Sequence, residues 1–264
     1  MHSSLIDIGA NLTHDSFEED RDEVVARARA AGVEMFILTG SSEAGSRQAL
    51  DLAQTHPDIY RSTAGVHPHH ASEYDDGVDN TLRELLRDPL VCSVGECGLD
   101  YFRNFSPVDA QRDAFERQLT IAADVGKPVF LHQRDAHEDF LEILAPFSAR
   151  IAAGVAHCFT GTGDMLDAYL DMGLYIGITG WICDERRGTH LREIVGRIPK
   201  DRIMIETDAP YLLPRTLRPK PKTRRNEPAH LVEVLRVVAE AREESEAELA
   251  ELTTANARRF FAID

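Results

Sequence analysis

Glu96, His132, His157 and Asp208 are the residues of this sequence best suited to hold a metal ion. They stand in Gly95-Glu96-Cys97-Gly98, His132-Gln133-Arg134-Asp135, His157-Cys158-Phe159-Thr160-Gly161 and Glu206-Thr207-Asp208-Ala209-Pro210, and each stretch follows a short apolar run. Two imidazoles offer neutral nitrogens and two carboxylates offer hard oxygens. That donor set suits Zn²⁺, Mn²⁺ or Mg²⁺ without choosing among them. Carboxylates gathered out of water repel one another, and a cation offsets the repulsion. An ion so held polarises a phosphoryl oxygen and lowers the pKa of its bound water. Asp208, the last of the set, is expected to orient and deprotonate that water, with Glu96 as the second catalytic carboxylate. One histidine after a strand is ordinarily a structural residue. Two histidines and two carboxylates after four different strands are not accounted for in that way.

The substrate side is legible as well. Past Asp208, Pro214, Pro219 and Pro221 break regular structure, and the same loop carries Arg215, Arg218, Lys220, Lys222, Arg224 and Arg225 with no acid among them. A proline-stiffened basic loop suits phosphate. His67, Arg134, Arg224 and Arg225 are expected to hold non-bridging phosphate oxygens, where guanidinium forks match the geometry. Trp181 stacks on a base or plugs the scaffold; its sequence context fits both.

These side chains need a scaffold that brings many strand ends to one place. Apolar runs beginning at Leu5, Val33, Ile59, Leu90, Pro128, Ala153, Leu174 and Ile203 predict eight strands, alternating with helical periods. Right-handed β-α-β crossovers make the sheet parallel. Eight repeats in 264 residues fit a single (β/α)8 TIM barrel over residues 1–264, and no Gly-x-Gly-x-x-Gly follows the first strand to favour an open doubly wound sheet. In a barrel the residues after the strands line the C-terminal rim, where active sites of this fold lie. The fourth strand is expected over 90–94 with Glu96 just past it, and the fifth over 128–131 with His132 just past it. Ser106 is expected to cap the helix that Pro107 opens. A Ser245/Glu248 capping box begins an extra C-terminal helix, which packs Leu249, Leu252 and Phe260 on the barrel.

Composition limits the partners. The formal charge is −16, and setting aside the six cations of the 215–225 loop leaves 23 basic against 45 acidic residues, a balance of −22. Such a surface repels polyanions in general, so any nucleic-acid contact must be focal. Cys92, Cys97, Cys158 and Cys183 include no Cys-x-x-Cys pair, which argues against a zinc knuckle or a thioredoxin-like motif. No apolar run approaches a membrane span and the start has no signal-peptide pattern. The expectation is a cytoplasmic protein with reduced thiols, a monomer, without a membrane partner.

The motifs Ser62-Thr63-Ala64-Gly65-Val66-His67-Pro68-His69, Gly95-Glu96-Cys97-Gly98-Leu99-Asp100, His132-Gln133-Arg134-Asp135-Ala136, His157-Cys158-Phe159-Thr160-Gly161 and Glu206-Thr207-Asp208-Ala209-Pro210-Tyr211 together resemble the TatD-type metal-dependent deoxyribonucleases, within the amidohydrolase-like barrels. The resemblance runs over nearly the whole chain. It implies Glu96, His132, His157 and Asp208 as metal ligands, Mg²⁺ as the usual ion, and DNA as the substrate. It further implies 3′→5′ exonuclease action favouring single strands, with RNA as a further substrate. One departure stands out: much of the family has His-x-His after the first strand, and the matching positions here are Gly9 and Asn11. Two imidazoles of the first metal position are therefore absent, leaving Asp7, Asn11 or substrate oxygens to hold a weaker second ion. The alternatives are a hydrolase of the same chemistry acting on a small ester or amide or on aminoacyl-tRNA, and a non-catalytic binding protein. The basic loop argues against a neutral small substrate, and the four intact ligands argue against lost catalysis.

Overall fold

Among the described residues, eight strands lie in one sheet in chain order: β1 (Leu5–Ala10), β2 (Val33–Leu38), β3 (Tyr60–Ala64), β4 (Val91–Asp100), β5 (Val129–Arg134), β6 (Gly154–Ala156), β7 (Tyr175–Ile178) and β8 (Ile203–Ile205). Between and after them come α1 (Arg21–Ala30), α2 (Glu43–Thr55), α3 (Asp76–Leu85), α4 (Val108–Val125), α5 (His137–Leu144), α6 (Gly163–Asp171), α7 (Thr189–Ile194), α8 (Leu231–Arg242) and α9 (Glu246–Phe261). This computed structural model describes residues 4–263. The β3–β4, β4–β5, β5–β6 and β7–β8 ladders are parallel, and a parallel bridge joins Ala10 to Ala209, just past β8. One helix follows each strand, and α9 is additional. The topology is that of a (β/α)8 barrel.

The chain divides into two compact units. One consists of Leu38–His157 with Asp171–Leu174. Its centre is β4, buried along its whole length and covered by α4 through Ala114, Phe115, Leu119 and Ala122. Phe115 stacks on Phe140 of α5 with ring centroids 5.5 Å apart. Asp75 caps α3 by accepting the Val78 N–H at 2.9 Å, and Val78, Leu82 and Leu85 form the buried stripe that follows. Ser106 does not cap α4 as its position suggested. Its hydroxyl donates to the His69 carbonyl and accepts the Ser72 N–H, tying the loop before α4 to the turn after β3.

The other unit comprises Met1–Ile37, Cys158–Leu170 and Tyr175–Asp264. Here α9 packs on β1 and β8 through Leu249, Ala257 and Phe260, while Leu252 is only half-buried. Half of the expected box is present: Ser245 Oγ accepts the Glu248 N–H at 3.2 Å, but the Glu248 carboxylate takes the Ser245 hydroxyl at 2.8 Å and not the Ser245 backbone N–H. Buried Asn256 on α9 donates to the carbonyls of Lys200 (2.9 Å) and Ile203 (2.8 Å), which fixes the start of β8. Asn256→Ala orphans those carbonyls, so unfolding by urea should show a loss of about 2 kcal/mol. An unchanged midpoint would mean that water replaces the amide at no cost.

Candidate metal centre

The centre of the first unit's chemistry is a bulge in β4. The strand does not stop at Val94; it continues through Glu96 to Asp100. Its pairing with β5 steps from Gly95–Phe130 to Cys97–Leu131, leaving Glu96 as the extra residue. A bulge re-aims a side chain. Gly95 and Gly98, which read in the sequence as the end of a strand, are instead required by the approach of β5. A Cβ would stand 2.3 Å from the Phe130 carbonyl oxygen at Gly95 and 1.9 Å from that of His132 at Gly98, and both residues have positive φ, +130° and +144°. β5 also runs on past Leu131, so His132 and Arg134 lie on the strand itself.

Three imidazoles converge on one oxygen of Glu96. His157 Nε2 lies 2.9 Å from Oε1, His132 Nδ1 3.0 Å and His67 Nε2 3.4 Å. His67 Nδ1 accepts the His69 N–H at 3.1 Å, so the neutral ring carries its proton on Nε2, toward Glu96. Behind them Asp100 Oδ2 meets His69 Nε2 at 2.9 Å. His132 Nε2 is 3.5 Å from the same oxygen, outside hydrogen-bond geometry, and is buried without a hydrogen-bond partner. Burial opposes the charge on Glu96, but the imidazoles of His67 and His157 and the hydrogen bonds from His132 and His157 outweigh it. The carboxyl is held well below its ordinary range. Burial pushes His67 down to about 3, so that ring is neutral. For His132 burial is more than offset by Asp100 and Glu96, and its pKa is raised.

This arrangement fits a divalent cation. A carboxylate ringed by imidazoles and an orphaned ring nitrogen are what a nitrogen and oxygen donor set looks like around its ion. His67, Glu96 and His132 offer ligand atoms all within 4.8 Å of one another. Of the residues expected from the sequence, Glu96, His132 and His157 are brought together, and His67, expected on phosphate, joins them. His69 and Asp100 stand in the quoted motifs without being singled out as site residues. The signal available for them was the His67-Pro68-His69 spacing and an acid four residues beyond Glu96.

In the second unit, the residues after β1 and β8 hold each other. Asp7 is fully buried and its carboxylate accepts the Thr207 N–H (2.9 Å), the Thr207 hydroxyl (2.5 Å) and the Gly9 N–H (3.3 Å). Burial dominates these bonds and pushes its pKa up to about 7. Glu206, also buried, accepts the Cys158 N–H at 2.5 Å. Asp208 takes a left-handed backbone, φ +53°, its N–H donating to the Gly9 carbonyl at 2.8 Å. Asn11 Nδ2 donates to Asp208 Oδ1 at 2.9 Å. Asn11 therefore orients Asp208, and Asp7 anchors the turn that carries it.

The basic loop divides into residues with different roles. Arg225 is half-buried and pinned: it donates to the Ser16 carbonyl (2.6 Å), to both oxygens of Asp20 (2.8 and 2.7 Å) and to Glu227 (3.0 Å). Arg224 is exposed and lines a cavity of about 790 Å³ with Arg187, Arg215, Arg218 and Lys220. In its wall the Arg187 guanidinium lies 4.3 Å over the Trp181 ring. Buried Asp184 holds Arg187 Nε at 2.9 Å, and Arg215 Nη1 is 3.4 Å from the same oxygen. In the other unit, Arg134 lies 3.9 Å over the exposed Phe102 ring.

A parallel (β/α)8 topology with imidazoles gathered around a strand-borne carboxylate defines a metal-dependent hydrolase of the barrel type. The chain belongs to the TatD related DNase family, whose model matches residues 6–262. It is 53% identical over 259 residues, 98% of this chain and the full length of the relative, to the 3′-5′ ssDNA/RNA exonuclease TatD of Erwinia tasmaniensis. It is 52% identical, with the same coverage, to the protein of that name from Pectobacterium atrosepticum. Among solved structures, the TatD homologue YjjV of Escherichia coli superposes with a TM-score of 0.90 at 27% identity, covering 100% of both chains. A TatD family hydrolase from Entamoeba histolytica gives 0.89 at 27% identity over 98% of each. No helix among the described residues is long and apolar enough to cross a membrane.

Proposed function

We propose that the protein is a metal-dependent exonuclease that removes nucleotides from the 3′ end of single-stranded DNA, with RNA as a further substrate. The observation that carries this is the convergence of His67, His132 and His157 on Glu96 in a chain whose family is that of TatD related DNases. Glu96, His132 and His157 are the proposed ligands, with Asp208 as the fourth. Asp208 stands just past the C-terminal end of β8, the strand end at which barrel active sites are built. The ion, proposed to be Mg²⁺, supplies charge stabilisation for the phosphoryl oxygens and activation of water when bound. Asp208, oriented by Asn11, accepts the proton of the attacking water. His67, expected on phosphate, keeps its Nε2–H turned toward Glu96 and supports that carboxylate instead. Arg134 and Arg224 hold phosphates of the strand.

Degradation of a 5′-labelled 30-mer tests this reading. Stepwise shortening from the 3′ end is expected, faster on single strands than on a blunt duplex. Turnover of a simple ester with no cleavage of nucleic acid would move the protein to the small-molecule hydrolases.

Two further outcomes follow. With Asn11 and Asp7 engaged as described, metal analysis after dialysis should find one tightly held ion per chain; two full-occupancy ions would contradict it. For the loop, Arg224→Ala should flatten the slope of log affinity against log salt by about 0.7, the share of one single-strand phosphate. Arg225→Ala should leave that slope alone and lower stability by about 1 kcal/mol, as loss of a paired, partly exposed ion network does. A change of slope in Arg225→Ala would place that residue on the substrate after all.

A further inference from the structure

Phe105 and Phe102 are 68% and 54% exposed, and Phe105 is the most exposed large apolar side chain among the described residues. Both lie in the short loop between β4 and α4. Rings left in water forgo their burial energy, so two in one loop call for a reason. The loop is firmly held. Asp100 Oδ1 accepts the N–H groups of Phe102 (3.0 Å) and Arg103 (2.8 Å), and the Tyr101 hydroxyl donates to Asp139 at 2.6 Å. Gln111 donates to the Ser106 carbonyl at 2.9 Å. The other oxygen of Asp100 is the one that meets His69 and faces His132. One carboxylate thus ties the aromatic loop to the candidate metal centre. The Phe105 ring meets the His69 ring edge-on at 4.7 Å, and His69 in turn lies 4.2 Å from His67. Phe102 has the guanidinium of Arg134 at 3.9 Å and that of Arg103 at 5.5 Å.

Exposed aromatic faces beside guanidinium groups are the means by which proteins hold single strands: rings stack on bases and cations meet phosphates. We infer that Phe105 and Phe102 stack on the terminal nucleobases of the strand being cleaved, with Arg134 and Arg103 at the flanking phosphates. This rests on the nuclease reading above and gives a physical reason for a single-strand preference, since paired bases have no free faces to offer. Because every base has a π-face, the contact selects for the presence of a base and not for its identity.

The test compares oligonucleotides whose last two 3′ residues carry bases with strands of equal charge ending in two abasic residues. Wild-type protein should favour the base-bearing end in kcat/KM by about tenfold or more, the scale of a lost stacking contact. Phe102→Ala combined with Phe105→Ala should abolish that preference, and Phe105→Tyr, which keeps the ring, should retain it. Equal cleavage of both ends by the wild type would overturn the inference while leaving the nuclease reading intact. So would a double variant that is slower on both ends by the same factor, because that is the signature of a ring that only positions His69. Failure of the wild type to cut either strand removes the nuclease reading, and the stacking pair with it.

Discussion

Glu96→Gln is expected to lower kcat/KM on single-stranded DNA by roughly 10³-fold or more. A bound divalent ion contributes several kcal/mol of charge stabilisation, and each 1.36 kcal/mol is a factor of ten in rate. The substitution preserves size but removes the one charge on which His67, His132 and His157 converge. Removing the acceptor also releases the ring orientations, so metal affinity and turnover should fall together. His157→Ala and His132→Ala should behave alike, because each deletes a nitrogen close to the same Glu96 oxygen. Circular dichroism separates this from misfolding. The cluster is a small part of a barrel whose core includes residues outside it, such as Phe115, Leu119 and Phe140. A folded Glu96→Gln protein with wild-type activity would remove the metal assignment.

The second large effect concerns Asp208. Asp208→Asn should lower kcat by about 10² to 10⁴-fold, the range of a lost general base, with KM changed by less than about threefold. Asparagine tolerates the left-handed backbone found at Asp208, and its side-chain oxygen can still accept the bond from Asn11. Shape is kept and charge is lost. If Asp208 were only a cap for its turn, the asparagine variant would be nearly as active as the wild type.

Much of this was legible in the sequence because the strands are short apolar runs punctuated by polar residues, and because in a barrel those polar residues fall at one rim. Glu96, His132 and His157, which the structure brings together, stand out in this way. The details that escaped are those that depend on distant partners. β4 runs longer than its sequence suggests because Gly95 and Gly98 look like terminators, when the carbonyls of Phe130 and His132 on β5 leave no room for a side chain there. Asp100 and His69 gain meaning only from each other, across 31 positions. Arg225 looked like one more phosphate ligand in a basic loop. Its partner Asp20 lies 205 positions away in an unremarkable acidic stretch, and no local pattern marks the pair. Asn11 reads in the sequence as an ion ligand because it stands where the pattern the chain resembles has an imidazole. The contact with Asp208, 197 positions on, gives it an orienting role instead.

The most direct measurement follows a 5′-labelled single strand incubated with wild-type protein and with Glu96→Gln, each stripped of metal and then titrated with Mg²⁺. The expected result is a ladder shortening from the 3′ end that is absent with chelator, appears with added Mg²⁺ in the wild type, and stays absent in Glu96→Gln at the same concentrations. Cleavage that survives chelation, or a Glu96→Gln protein as active as the wild type, would contradict a metal-dependent nuclease centred on Glu96.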